Sequence, residues 1–225
     1  MLKRSALWVV VAAVASSGCL TRPPVLAPPP ENVVAVEGYG RAIIEDEEGI
    51  LKGRFSFRFR IPDLGRIEAL DPLNRTAYFV IIRDDAAYFV VPSKKAYALD
   101  RPESLFGRLL GFPLGPGEAV SLLSDRWEGR QAESGAPGWT ILRDSEGRAV
   151  RGEKDGLLFE VLDFFEKANV PRTLSFSEGQ ASGRVTVLSL RFNPPPRPEA
   201  FDTGFVGAFV RLTWEELQEL MRDED

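Results

Sequence analysis

Histidine is absent from this 225-residue chain, and cysteine occurs once, at Cys19. Without histidine there is no Ser-His-Asp or Cys-His nucleophile system, no imidazole metal site and no ordinary general base near neutral pH. One cysteine makes no intrachain disulfide, and with no histidine beside it zinc and iron–sulfur sites built on Cys or His are excluded too. Carboxylates and lysines remain, but no Ser-x-x-Lys, P-loop or HExxH spacing organises them. Gly111, Gly115 and Gly117 flank prolines and read as turns. The carboxylates at 45–48 lack the EF-hand pattern, so no metal is expected there. An enzyme is therefore not expected. Positive charge is also short, with 28 Lys and Arg against 33 Asp and Glu. A nucleic-acid partner wants a basic stripe, so none is expected.

What is present begins at the N-terminus. Lys3 and Arg4 precede an unbroken apolar run, Ala6–Ala15. That run is roughly half the ~20 residues a bilayer-spanning helix needs. It ends in Ser16-Ser17-Gly18-Cys19, small residues leading to a cysteine. Together these read as a lipoprotein signal peptide (residues 1–18) followed by a cysteine that carries a diacylglycerol and an acyl lipid. Ser16 stands where such a lipobox usually has leucine. A free thiol in an oxidising compartment would be a liability, which favours a modified Cys19. Residues 19–32 then form a lipid-anchored, proline-rich linker, LTRPPVLAPPPE in its middle. About a dozen residues of polyproline II at ~3.1 Å each give ~35 Å of reach. Inner-membrane lipoproteins often carry Asp after the cysteine, so Leu20 fits an outer-membrane protein facing the periplasm. Residues 1–18 carry two basic side chains and no acid, so the remaining 207 residues hold 26 basic and 33 acidic groups, a net charge of −7. That length suits one domain with a real core.

Residues 36–98 read as a run of antiparallel strands. Between Gly53 and Ile61, Phe55, Phe57, Phe59 and Ile61 alternate with Arg54, Ser56, Arg58 and Arg60. This period of two gives one apolar face and one solvated, arginine-lined face. Asp46-Glu-Glu-Gly49 and Arg83-Asp84-Asp85 are hairpin turns. Tyr78-Phe-Val-Ile-Ile82 is apolar on both faces, so both are covered or one lines a cavity. A helix then begins near Asp100, with an Asp-x-x-Glu capping box to Glu103, and places Leu105, Phe106, Leu109 and Leu110 on one face. Gly111 and Pro113 stop it, and Glu118–Ser124 is a second short helix. Strands return at Gly138–Arg143, Leu157–Leu162, Thr173–Ser177 and Arg184–Phe192. In the last of these, Thr186, Leu188, Leu190 and Phe192 form the more apolar set. Pro194–Pro198 breaks the chain. Residues 213–225 form a C-terminal helix, opened by the capping box Thr213-Trp-Glu-Glu216 and striped with Trp214, Leu217, Leu220 and Met221.

Residues 38–125 resemble the LolA/LolB family, which carries and receives bacterial lipoproteins. The resemblance rests on the order of features. Gly38-Tyr-Gly40-Arg41 looks like an opening Gly-Arg strand. Asp71-Pro72-Leu73-Asn74 looks like the Pro-Leu loop of the membrane-anchored LolB branch. Tyr97-Ala-Leu-Asp-Arg-Pro-Glu-Ser-Leu105, followed by Leu109-Leu-Gly-Phe-Pro113, resembles that branch's helix and its Gly-x-Pro turn. The resemblance implies a mainly β fold with a few helices: an incomplete antiparallel β-barrel with a helical lid over an apolar cavity, spanning residues 33–212. It implies that the cavity accommodates acyl chains and that Leu73 assists delivery to the membrane. Phe55, Phe57, Phe59 and Ile61, Tyr78 and Val80, and Phe106 and Leu109 of the lid are the candidate cavity contacts. A filled core would use the same residues, because periodicity does not distinguish packed from hollow. The LolB branch has a helix before its first strand that this chain lacks, and the C-terminal stripe is a candidate replacement cover. The implied function is a membrane-anchored lipoprotein that accepts or inserts other lipoproteins. Its expected partners are membrane lipid, lipoprotein acyl chains and a periplasmic LolA-like carrier. The alternative is an envelope assembly factor or sensor on the same scaffold, with no cargo and no cofactor.

Overall fold

The alternation around Phe57 builds a strand, β2 (Gly49–Arg60), that pairs with β1 (Ala35–Asp46) along its full length. Around this hairpin the computed structural model describes residues 26–46, 49–110, 113–127 and 138–222. The signal peptide, Cys19 and the first part of the linker therefore lie outside the described residues, as do positions 47 and 48 of the first turn.

Further strands are β3 (Leu64–Leu70), β4 (Thr76–Arg83), β5 (Ala86–Val91), β6 (Ala96–Asp100), β7 (Thr140–Arg143), β8 (Ala149–Lys154), β9 (Leu157–Phe164), β10 (Pro171–Glu178), β11 (Ala181–Phe192) and the short β12 (Val210–Arg211). They form one twelve-stranded sheet in the order β12-β6-β5-β4-β3-β2-β1-β11-β10-β9-β8-β7. Only β12 runs parallel to its neighbour, β6. The edge strands β7 and β12 do not pair with each other, so the barrel is incomplete. Turns β1–β2, β3–β4, β8–β9 and β10–β11 share one end of the sheet, the tip end. The chain enters at the opposite, base end. There Asn193 ties it down, its Oδ1 accepting from the Val34 and Ala35 amides at 2.8 and 3.2 Å and its Nδ2 donating to the Asn32 carbonyl at 2.7 Å.

Three helices cover the inner face: α1 (Pro102–Leu110), α2 (Pro116–Ser124) and α3 (Trp214–Arg222). The expected cap of α1 is displaced. Asp100 ends β6, and its carboxylate accepts from the Arg101 amide at 2.8 Å, while the helix opens with Leu105 N–H donating to the Arg101 carbonyl at 3.0 Å. Strand pairing with β5 takes the Tyr97–Asp100 stretch that the family pattern assigns to the helix region. The Thr213 box forms as read: Glu216 N–H donates to Thr213 Oγ1 at 3.2 Å, and Thr213 N–H to Glu216 Oε2 at 2.8 Å. α3 packs on β6, with Leu217 fully buried and Trp214 edge-on to Phe89 at 5.2 Å.

Two expectations are corrected. The arginine face of β2 is not simply solvated, because Arg58 is buried and ion-paired with Glu37. The cause is the segment after β11. It leaves β11 beside β1, crosses the outer face as a strap, and adds β12 beyond β6. Arg66 donates to the strap carbonyl of Ala200 at 3.0 Å, Phe201 is buried, and Phe205 stands edge-on to Phe79, Tyr88 and Tyr97. The strap accounts for the two apolar faces of β4: Phe79 and the fully buried Ile81 lie beneath it, while Tyr78 and Val80 face inward. The second correction concerns β11. The pairing with β1 slips between Tyr39/Ser189 and Gly40/Val187, so Leu188 is bulged out. A bulge reverses the alternation, and the inward set becomes Val185 and Val187 before it and Leu190 after it.

Candidate functional site

Between the inner face and the helices lies an apolar cavity of about 270 Å³. That is just below the ~300–1,000 Å³ typical of small-molecule sites. Its floor is the β2 row Phe55, Phe57 and Phe59 with Ile67 and Ala69 of β3 and Tyr78 and Val80 of β4. Its far wall is Leu174 and Phe176 of β10 with Val185 and Val187 of β11. The roof is Phe106 and Leu109 of α1, Leu114, and Ala119, Leu122 and Leu123 of α2.

Glycine makes room for the floor. The Phe57 ring lies over Gly38 and the Phe55 ring over Gly40, across the β1–β2 pair. A Cβ at Gly38 would stand 2.5 Å from the Phe57 ring and 2.4 Å from the Ser189 carbonyl oxygen. The Gly-x-Gly of the opening strand is thus a steric requirement of the phenylalanine row.

Of the eight candidate contacts, Phe55, Phe57, Phe59, Tyr78, Val80, Phe106 and Leu109 line the cavity. Ile61 does not, and this corrects the reading from alternation. β2 ends at Arg60, and Ile61 turns away to donate its amide to the Val34 carbonyl at 3.0 Å, packing against the base of the core.

The cavity reaches the tip end, where Leu51, Leu70 and Ala77 line it beside Lys52 and Arg54. Leu51 is half-exposed there, and Ile50 on the same hairpin is 60% exposed. Leu73 projects from the β3–β4 turn with 72% of its surface exposed, so it does not fold back onto the sheet. Asp71 builds that turn. Its Oδ1 accepts from the Leu73 and Arg75 amides at 2.8 and 2.9 Å, its Oδ2 accepts from Arg75 Nε at 2.7 Å, and Asn74 adopts a left-handed conformation (φ 61°). The Arg75 amide, with the other donors, holds the Asp71 carboxyl below its ordinary pKa. Asp144–Arg148, at the base end, repeats the design: Asp144 Oδ1 accepts from the Glu146 and Arg148 amides at 2.9 and 3.0 Å, and Oδ2 from Arg148 Nε at 2.8 Å.

Two features escaped sequence reasoning. Glu118 is buried at the start of α2, accepting from the Gly115 amide (2.8 Å), Trp139 Nε1 (2.8 Å) and Lys154 Nζ (2.6 Å). It fastens the lid to the β7–β8 edge; the only signal in the sequence was its place three residues after Gly115. Tyr78 was legible as an apolar contact, but its hydroxyl has no hydrogen-bond partner among the described residues. Burial raises the pKa of its phenol above the ordinary value of 10.0, so it stays protonated.

No protein-family model matches the chain, and no curated protein matches it. Among solved structures, a DUF1329 family protein from Desulfovibrio piger superposes with a TM-score of 0.50 at 9% identity, covering 77% of this chain and 91% of that one. A domain from Vibrio parahaemolyticus assigned to outer membrane lipoprotein sorting gives 0.48 at 12% identity, over 76% and 91% of the two chains. A LolA superfamily protein from Nitrosomonas europaea gives 0.45 at 10%, over 79% and 93%. The likeness is one of fold.

Proposed function

We propose that this chain is a lipid-anchored protein of the bacterial envelope whose cavity takes up the acyl chains of lipoproteins and releases them to a membrane without covalent chemistry. The cavity carries the reading. It is apolar, roofed by α1 and α2, and open at the end where Leu73 stands clear of the sheet. Each methylene moved from water into such a space contributes about 0.8 kcal/mol. Two cavities of slightly different depth can therefore pass a chain in one direction. Leu73 cannot join the core, and a leucine held out by a rigid turn is suited to an apolar phase. Cys19 supplies the anchor, and Leu20 favours the outer membrane with the domain in the periplasm. The donor is a soluble LolA-like carrier. The cargo-free assembly factor or sensor calls for a filled interior, and the cavity favours the acceptor reading over it.

The test is a transfer assay. A soluble carrier loaded with a lipoprotein is mixed with membranes bearing this protein or its Leu73→Glu variant. Transfer that requires the protein and falls at least tenfold in the variant is expected. Equal transfer from both would remove Leu73 from the mechanism, and no transfer by a folded protein would remove the acceptor role.

A further inference from the structure

The cavity contains one polar group in an otherwise apolar lining. Apart from Lys52 and Arg54 at its open end, every lining side chain except Tyr78 is apolar or glycine. Tyr78 is on the inner face of β4, opposite Ala69 of β3, with its ring 5.0 Å from that of Phe89. It is two residues in from Thr76, where β4 begins at the tip end. At ~3.3 Å per residue that is about 7 Å below the rim. Val80 and Phe59 line the cavity further in. Tyr78 is partly buried and its hydroxyl is not closed off from solvent, so it stands ready to donate to an acceptor that enters the cavity.

We propose that the Tyr78 hydroxyl donates a hydrogen bond to the carbonyl oxygen of an ester- or amide-linked acyl group, fixing how deep the chain sits in the cavity. This rests on the acyl-binding reading above and adds to it a specificity residue and a ligand class. The linkage follows from charge. A fatty acid would bring a carboxylate about 7 Å into an apolar site, and an ion without a buried counter-charge is strongly disfavoured there. Lys52 and Arg54 do not serve. They stand at the open end of the cavity, and Arg54 is engaged with Asn74 Oδ1 at 3.4 Å. An ester or amide carbonyl is neutral and only accepts, which complements a phenol that stays protonated.

The experiment uses the full chain carrying Cys19→Ser, so that no acyl group of its own competes. A neutral apolar fluorophore, N-phenyl-1-naphthylamine, is bound in the cavity and displaced by methyl laurate, dodecane or laurate. A net neutral hydrogen bond of ~0.5–1.5 kcal/mol corresponds to a two- to tenfold preference. Methyl laurate is expected to displace the dye at two- to tenfold lower concentration than dodecane, with laurate weaker than the ester. In Tyr78→Phe, matched to the parent in thermal midpoint, the ester's advantage over dodecane disappears while dodecane binds as before. An advantage that persists in Tyr78→Phe, or is absent from the parent, overturns the role of the hydroxyl. Laurate binding as tightly as the ester overturns the linkage preference. Displacement by none of the three removes the acyl-binding reading itself, an outcome distinct from the others.

Discussion

Replacing Ala69 by leucine separates a hollow interior from a packed one. Ala69 lines the cavity from β3, between Phe55 of β2 and Tyr78 of β4. Leucine adds three carbons, which would project into the empty space. In a packed core, such overfilling destabilises by roughly 1–3 kcal/mol. Here the added atoms gain contacts that the alanine lining lacks, so stability should hold or rise. Binding should move the other way. Three carbons displace about three ligand methylenes at ~0.8 kcal/mol each, about 2.4 kcal/mol in all. At 1.4 kcal/mol per factor of ten, that is roughly a 50-fold weaker affinity. Denaturant unfolding without ligand gives the first quantity, and dye displacement by methyl laurate gives the second. A variant that loses more than about 1 kcal/mol of stability and keeps its affinity would refute the cavity as the binding site.

Other consequences can be measured separately. Leu73→Glu should leave stability within about 0.5 kcal/mol, as expected for a surface change, so lost transfer in that variant with an unchanged melt is a functional effect. The Asp71 carboxyl, lowered by its bonds from Arg75 and Leu73, should titrate below the ordinary ~3.9. Its stabilisation is complete above that value and is lost as pH falls through the lower native one; a carboxyl-carbon NMR midpoint at or above 3.9 would contradict this. Gly152→Ala places a Cβ 2.2 Å from the Phe159 ring and should destabilise by about 1–3 kcal/mol through overpacking, read by thermal unfolding. Phe201→Ala removes the buried foot of the strap and should cost about 3 kcal/mol. It should also raise hydrogen exchange at β3 and β4; unchanged exchange there would show that the strap is not held by that side chain.

How far the sequence went depended on which physical signal each element carries. β2 was legible because its alternation is strict and its inner positions 55, 57 and 59 are all phenylalanine. The α3 cap was legible because a Thr-x-x-Glu box is local chemistry. β11 was misread because a single bulged residue, Leu188, reverses the alternation midway, and that depends on β1 rather than on β11 itself. The arginine face of β2 was misread for a similar reason. Nothing near Arg58 announces that residues 193–209 will lie over it. β8, with Gly152 beneath Phe159 and charges at Arg151, Glu153 and Lys154, has too little apolar character to stand out. In the site, the phenylalanine row and Leu73 were visible as types in a pattern. The failure at Ile61 came from extending the pattern one residue past the strand. Hollowness and the free Tyr78 hydroxyl are properties of what surrounds a residue, and no spacing encodes them.

The strap also sets the order in which this protein can be finished. Phe79, Ile81 and Tyr88 belong to the first hundred residues, yet their outer faces wait for Phe201 and Phe205. A chain emerging N-terminus first, through a ribosome or an export channel, therefore displays an apolar sheet face until the strap, residues 193–209, arrives. Exposed strands of that kind are where chains stick to one another. Loss of the last segment would then do more than shorten the molecule. It would leave the outer face of the sheet uncovered and prone to aggregate, which makes the strap the checkpoint for the whole domain.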